Sequence, residues 1–424
     1  MRELEYPRLG ERVRRQTLPN GLELIVVERP AHARSYALFA TRYGGMDLRF
    51  QWEGAWRDTP AGVAHYLEHK LFDTPAGSAS QQLARYGAVD NAFTSNAVTA
   101  YYFQCTRDFY ECLRILLSFV SQPWFTQESV DKERGIIAQE IRMVDDDPDW
   151  QVYDRLMACL YRQSPVRLPV AGTVESIQAV TPQLLYDCHR AFYTPGNMVL
   201  VCVGGMELER VAELAMELLP SGGGDAPARD YGPAEDLLPA CRETAAEMEV
   251  SMPMFLAGFK CSPPAGGEAL LRSTIIGDLA CDALFGDSSP LYARLYREGA
   301  VNGSLGGGYD AQPGAAYVYV GGDARDPELV CEAILDQAQK LGREGIGEDF
   351  YQRLRRAAYG AMLRGLNAPE DVAVSMAEGY FRGFDYYRFP EVFDTVERAD
   401  VEAFLRENVT RERMAVSVIR PKTL

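Results

Sequence analysis

Histidine is scarce in this chain of 424 residues, with four in all: His32, His65, His69 and His189. Uninterrupted apolar runs of membrane-spanning length are missing, which speaks against a transmembrane helix. The opening stretch Met1–Gln16 is charged and lacks the apolar core of a secretory signal, so a cytoplasmic location is expected. None of the nine cysteines stands in a CxxC pair, and their number is odd. They read as reduced, buried small hydrophobes, with no disulfide frame and no sulfur-ligated metal. Basic residues are too few to balance the acidic ones, 43 against 60, for a net charge of −17. Nucleic acid and anionic membrane are therefore unsuitable partners, and a basic or extended peptide suits better.

An apolar fraction of 47% supports a well-packed protein. The length exceeds one ordinary core, so two domains are expected. A Pro/Gly/Ala/Asp-rich stretch from Pro220 to Pro239, containing Gly222-Gly223-Gly224, marks the boundary. The expected organisation is residues 1–220, a linker at 221–240, and residues 241–424. In the first half, strands are expected around Pro19-Asn20-Gly21 and at Ser35–Tyr43, then one long helix from Thr59 to Tyr86. A hairpin at Asn91–Thr106 and helices at Asp108–Ser121, Thr126–Val144, Pro148–Tyr161 and Pro182–Ala191 follow. The second half repeats this order in outline, with a strand at Met248–Lys260, a helix within Gly267–Arg297 and two strands across Gly303–Gly322. The fold class is α+β, two similar domains, each an antiparallel sheet with helices packed on one face.

Half of the scarce histidines fall in five residues, His65-Tyr66-Leu67-Glu68-His69. On a helix, His65, Glu68 and His69 share one sector while Val63, Leu67 and Leu71 lie opposite. Two imidazoles one turn apart are a ready pair of zinc ligands, and a carboxylate beside them can take a proton from water that the metal acidifies. From ordinary residue frequencies, an accidental match in a chain of this length arises on the order of one time in a hundred.

Zinc needs a third protein ligand, with a fourth position left to water. The helix Thr126–Val144 carries Ile136, Ile137, Ile141 and Val144 as its expected buried stripe, and Glu133 and Glu140 sit within that stripe. A buried carboxylate without a partner costs several kcal/mol, so both ask for partners. A metal is one such partner; an ion pair or a position at the rim is another. The acidic run Asp145-Asp146-Asp147 reads as a solvated helix end.

In these residues the chain resembles the pitrilysin/insulinase family of zinc peptidases, the inverzincins, whose signature is H-x-x-E-H followed some seventy residues later by a glutamate ligand. Glu140 stands in that place, within Glu133-Arg134-Gly135-Ile136-Ile137-Ala138-Gln139-Glu140. The resemblance implies that His65, His69 and Glu140 bind one Zn2+ per chain, that Glu68 is the general base, and that Glu133 is a supporting acid. A second match is Asn91-Ala92-Phe93-Thr94-Ser95 before Thr99-Ala100-Tyr101-Tyr102-Phe103. It is similar to the family strand on which a substrate peptide adds in extended form, which implies that Asn91, Ala92 and Phe93 bind substrate. Ala171-Gly172-Thr173 and Tyr193-Thr194-Pro195-Gly196-Asn197-Met198 continue the likeness, which spans most of the first 205 residues and is nearest to the short bacterial members and the beta-type subunits of mitochondrial processing peptidase. The implied architecture is the mitochondrial processing peptidase-like, LuxS-like metallohydrolase fold, with no metal site in the second half.

The implied activity is metal-assisted hydrolysis of peptides or small unfolded polypeptides. Many family members add from the second half an arginine and, seven residues later, a tyrosine that hold the substrate carbonyl. Arg297 matches the arginine, but Ser304 stands at the tyrosine position, and Tyr309 is a nearby substitute. Members that work alone enclose substrate with four such domains, so the resemblance implies a dimer with a related zinc-free subunit, or else with a second copy of the chain. The alternative is a catalytically idle structural or assembly subunit of such a heterodimer, which a complete set of His65, Glu68, His69 and Glu140 disfavours.

Overall fold

The segments Glu23–Glu28, Ser35–Thr41 and Met198–Gly204 are apolar along nearly their whole length, so neither side of such a strand tolerates water. In the computed structural model of the chain they form the centre of a seven-stranded sheet, ordered Arg2–Tyr6, Glu11–Thr17, Glu23–Glu28, Met198–Gly204, Ser35–Thr41, Thr99–Cys105, Val89–Thr94. Pairing is antiparallel except between Met198–Gly204 and Glu23–Glu28, which run parallel. The structure describes residues 1–222, 224 and 226–422; Gly223 and Asp225 of the expected linker, and Thr423 and Leu424, lie outside the described residues.

One face of this sheet is covered by a single large cluster in which Val26, Phe39, Tyr101, Phe103 and Leu200 meet Leu67, Leu113, Leu116 and Leu117 of the helices Val63–Leu71 and Phe109–Ser121. The alternate residues Tyr36, Leu38, Val199 and Val201 point the other way and are equally buried. Their cover is the helix Pro369–Arg382, which packs on Met198–Gly204 and Ser35–Thr41 through Val372, Ala373, Met376 and Ala377. The arrangement of helices on one face is thus supplemented by one helix on the other, because the central strands are apolar on both sides.

A second, five-stranded sheet is ordered Glu243–Met248, Met414–Pro421, Met254–Cys261, Ala315–Asp323, Gly306–Gln312, again with one parallel pair, Glu243–Met248 with Met414–Pro421. The helix Pro148–Leu160 lies on it; a Cβ at Gly258 would sit 2.8 Å from Leu160 and 2.9 Å from Leu156, so only glycine lets that helix so close. On the opposite side the helix Glu268–Phe285 packs on Gly306–Gln312, with Gly277 over the ring of Tyr309.

The chain accordingly divides into two compact units that interleave in sequence: Met1–Ile141 with Pro169–Tyr231 and Leu363–Arg388, and Arg142–Leu168 with Gly232–Met362 and Phe389–Leu424. Ranges 1–220 and 241–424 describe them only in outline, since each sheet takes a covering helix from the other half of the sequence.

Several expectations change in detail. The single helix Thr59–Tyr86 is two helices, Val63–Leu71 and Ala79–Arg85, separated by a tight turn at Thr74–Gly77 in which Thr74 Oγ1 bonds Gly77 O. Met248–Lys260 splits into strands Glu243–Met248 and Met254–Cys261, and Gly267–Arg297 into helices Glu268–Phe285 and Pro290–Arg297, the latter started by Ser289, whose side chain accepts from Tyr292 N. Ile136 is 47% exposed, because Val130, Ile137, Ala138 and Ile141 form the buried stripe instead. The stretch expected to link the halves is pinned at both ends. Ala228 and Asp230 bond the backbone of Gln51 and Arg49, and the Glu235 carboxylate accepts from the amides of Arg162, Gln163 and Ser164. Cys159 and Cys241, expected to be reduced, form a disulfide; 82 residues of separation hide the pair from any spacing rule. The other seven cysteines are free and buried. Among the described residues, no helix is long and apolar enough to cross a membrane.

His189 is the one buried imidazole of the first core, with Nε2 2.8 Å from Val120 O, to which it donates, and its ring stacked on Tyr193. Burial pushes it down to about 4, against a smaller upward effect of that hydrogen bond. A depressed value means stability that is complete above the unfolded value near 6.5 and lost as pH falls toward 4. The loss across that range is worth about 3 kcal/mol. Denaturant titrations at pH 7 and pH 4 are expected to show that part of the acid sensitivity disappearing in His189→Gln; equal acid sensitivity in both proteins would refute it.

Candidate metal centre

A helix of nine residues is unstable alone, since nucleation is unfavourable below about 12–15 residues. Val63–Leu71 holds because Val63, Leu67 and Leu71 are buried, each worth about 1.5–3 kcal/mol on burial. Its start is set by Gly62 in a left-handed conformation (φ 95°), where a Cβ would lie 2.4 Å from Ala171 O. The reciprocal contact is Gly172 (φ +73°), whose Cβ would meet Ala61 O at 2.4 Å. Ser176 Oγ closes the junction with a 2.8 Å bond to Ala61 O. Thr59-Pro60 therefore precedes the helix as irregular chain, with Thr59 bonded to Leu48 O, and does not cap it.

The buried side of this helix also meets the long helix Gln127–Asp145: the Tyr66 hydroxyl donates to Val130 O. That junction sets the carboxylates of the long helix against the histidines. Glu140 Oε1 is 3.5 Å from His65 Nε2, and its Oε2 is 3.5 Å from His69 Nε2. One ligand atom from each of His65, His69 and Glu140 lies within 4.8 Å of the others, the single group of this kind among the described residues. A tetrahedral zinc with bonds of about 2.0–2.1 Å separates its ligand atoms by roughly 3.3 Å, so the spacing suits it.

Glu133 stands behind the histidine and not in the cluster, with Oε1 3.1 Å from His69 Nδ1. Donation from Nδ1–H to that carboxylate leaves the Nε2 lone pair directed at Glu140 and the cluster. Among the described residues, nothing pairs with the buried Nδ1 of His65. Burial alone would lower the His69 value, but the Glu133 hydrogen bond and the charges of Glu68, Glu140 and Glu133 outweigh it and raise it. The His65 imidazole, by hydrogen bond and charge, holds Glu140 below the usual carboxylate range against burial. Three carboxylates around two imidazoles make a surplus of negative charge, the donor set of a divalent cation.

Glu68 is 9% exposed and directed elsewhere: its Oε2 accepts a 2.7 Å hydrogen bond from Thr94 Oγ1. Thr94 ends the strand Val89–Thr94, which is an edge of the seven-stranded sheet. Ala92 pairs with Tyr101 and Thr94 with Thr99, whereas Asn91 pairs with Tyr102 across from it. Ala92 and Thr94 hence face the metal helix, and Asn91 and Phe93 face the other side. There Asn91 lies beside Tyr102 of the neighbouring strand. Asn91, Ala92 and Phe93 are thus brought beside the histidines by the edge strand.

Arg297 belongs to the second unit, where it ends the helix Pro290–Arg297 and is exposed. Ser304 Oγ donates to Asn302 Oδ1 and accepts from Asp323 N at 2.8 Å. Tyr309, the substitute suggested by proximity in sequence, is buried against Gly277 and Phe404, with its hydroxyl 3.3 Å from Ser273. Its phenol belongs to the second core. Thr94 was passed over in sequence; the signal available was a hydroxyl at a position whose period-two neighbour, Ala92, faces the histidine helix.

The family description "Insulinase (Peptidase family M16)" matches residues 53–174, and "Peptidase M16 inactive domain" matches residues 179–358. An uncharacterized zinc protease of Bacillus subtilis, YmfH, is 34% identical over 432 residues, covering 100% of both chains. A zinc protease of Mycobacterium leprae, also uncharacterized, is 32% identical over 208 residues, 48% of this chain and 45% of that one. In structure, an M16-like peptidase of Alicyclobacillus acidocaldarius superposes with TM-score 0.94 at 34% identity, over 99% of this chain and 100% of that one. A protease of Helicobacter pylori shares the fold at TM-score 0.82 and 18% identity, over 96% and 99%.

Metal titration against a competing chelator is expected to give one zinc per chain, none in His69→Ala, and about 10–100-fold weaker binding in Glu133→Gln, the usual cost of losing the acid behind a ligating histidine. Unchanged affinity in Glu133→Gln would remove its role.

Proposed function

The chain belongs to the insulinase (M16) family of peptidases, and from that membership and the convergence at one helix we propose that it is a zinc-dependent endopeptidase acting on peptides or small unfolded polypeptides. The observation that carries this reading is the Glu140 carboxylate, 3.5 Å from Nε2 of both His65 and His69, with Glu68 set apart from the three. His65, His69 and Glu140 would hold the ion. Bound there, zinc acts as a Lewis acid that acidifies water and draws electrons from a carbonyl.

The protein's own residues do the rest. Glu68 accepts the proton of the attacking water and returns it to the departing amine, so no covalent intermediate with the protein arises. Glu133 keeps His69 in the tautomer with a bare Nε2. The substrate lies in extended form along Asn91, Ala92 and Phe93, on the open side of the edge strand, where a substrate carbonyl would replace Asn91 Oδ1, now 2.9 Å from the Ala92 N–H. This favours unfolded segments over folded ones, and the net charge of −17 favours basic ones.

Charge that develops on the carbonyl oxygen needs donors besides the ion. Arg297 is one candidate, but the residue seven places on is Ser304, and the Tyr309 phenol is spent inside its own core. The reading therefore includes a dimer, with a related zinc-free subunit that supplies an arginine and a tyrosine, or with a second copy as the simpler form.

Zinc-loaded chain, alone and with proteins that co-purify from the native cell, is to be assayed on a peptide library. Turnover rising at least tenfold with the partner, and falling about 10²–10⁴-fold in Glu68→Gln without loss of zinc, is the expected result. Retained turnover in Glu68→Gln removes the base. A zinc-loaded complex without turnover on any peptide would favour an idle assembly subunit.

A further inference from the structure

We propose that Thr94 is a positioning residue for the Glu68 carboxylate, and that through it the strand which receives the substrate also aims the base. This rests on the reading of Glu68 as general base. Thr94 has one hydroxyl proton, and the 2.7 Å contact commits it to Glu68 Oε2. A competing donor or acceptor close by would free it to turn, so the surroundings of Thr94 decide the matter. Its neighbour in register, Thr99, is fully buried and spends its own proton on Tyr43 O at 2.9 Å, while its oxygen lies 3.4 Å from Thr94 Oγ1. The longer contact cannot take the Thr99 proton from the shorter one. Beyond Thr99, the phenol oxygens of Tyr193 and Tyr101 lie 2.8 Å apart. The Thr99 proton is thus committed to Tyr43 O, and the Thr94 proton to Glu68.

The chemical consequence is a division of labour between the two carboxylate oxygens. With Oε2 occupied by a donated proton, an incoming proton is taken at Oε1, and the carboxylate keeps one rotation about its Cγ–Cδ bond throughout the cycle. Thr94 occupies the last position of Val89–Thr94, two residues beyond Ala92 on the same face. A peptide pairing with this strand is thereby placed by the same segment that orients the base, so base and scissile bond share one reference.

Thr94→Val keeps the shape and removes the donor; Thr94→Ser keeps the donor and removes a methyl group. In the proteolytically active form, Thr94→Val is expected to lower kcat about 10–100-fold with KM within twofold and zinc content unchanged, and Thr94→Ser to restore kcat to within about threefold. Crystal structures of both variants read the same point without turnover: the Glu68 carboxylate keeps its orientation in Thr94→Ser and rotates in Thr94→Val. Wild-type kcat in Thr94→Val, an equal loss in both variants, or loss of zinc in Thr94→Val overturns the proposal. If the wild type proves inactive on every peptide, the failure belongs to the peptidase reading, and the carboxylate orientation alone decides for or against Thr94.

Discussion

Two imidazoles on one helical turn do nothing chemical until a second element brings a carboxylate to both of them. In this protein that element is the helix Gln127–Asp145, and the contact that sets it is the Tyr66 hydroxyl on Val130 O, between the buried sides of the two helices. From that junction Glu140 reaches His65 and His69 together, and Glu133, two turns earlier, reaches the back of His69. Other features of the first unit serve this convergence. Gly62 and Gly172 allow two backbone segments to approach so closely that any Cβ would collide, and this fixes where the nine-residue helix begins. Below it, the leucines and aromatics of the sheet face hold it down.

The acids of the site divide by what they touch. Glu140 faces both histidines, Glu133 faces a ring nitrogen, and Glu68 accepts from a threonine. Placed close together without compensation, three carboxylates repel, and the raised value of His69 records that surplus. A divalent cation relieves it, which is the electrostatic reason the grouping suits a metal better than an ion pair. Glu68 stands outside the group that His65, His69 and Glu140 form.

Some of this was legible from residue order. The histidine pair with Glu68, and Glu133 with Glu140, stand at spacings that put each set on one side of a helix, and helical periodicity depends on the backbone alone. The strands around Asn91 and Thr99 were legible by their alternation. The helix boundaries at Phe72 and Gly62 were less so. Thr59-Pro60 has the chemistry of a cap, but a tertiary hydrogen bond to Leu48 O claims Thr59 first. Ile136 looked buried by its type and is exposed, since the stripe that packs is chosen by the neighbouring surface and not by the helix.

By itself, then, the sequence determined the local chemistry: which side chains share a helical turn, which strand alternates, and which family pattern they match. Those follow from short-range geometry, identical in any context. Tertiary structure decided the rest. It drew a covering helix for each sheet from the other half of the sequence, because strands apolar on both faces need cover wherever it is found. It closed Cys159 onto Cys241 across 82 residues, withdrew Tyr309 into a core, and turned Thr94 onto Glu68. Each depends on contacts between residues far apart in the chain, where no periodicity reaches.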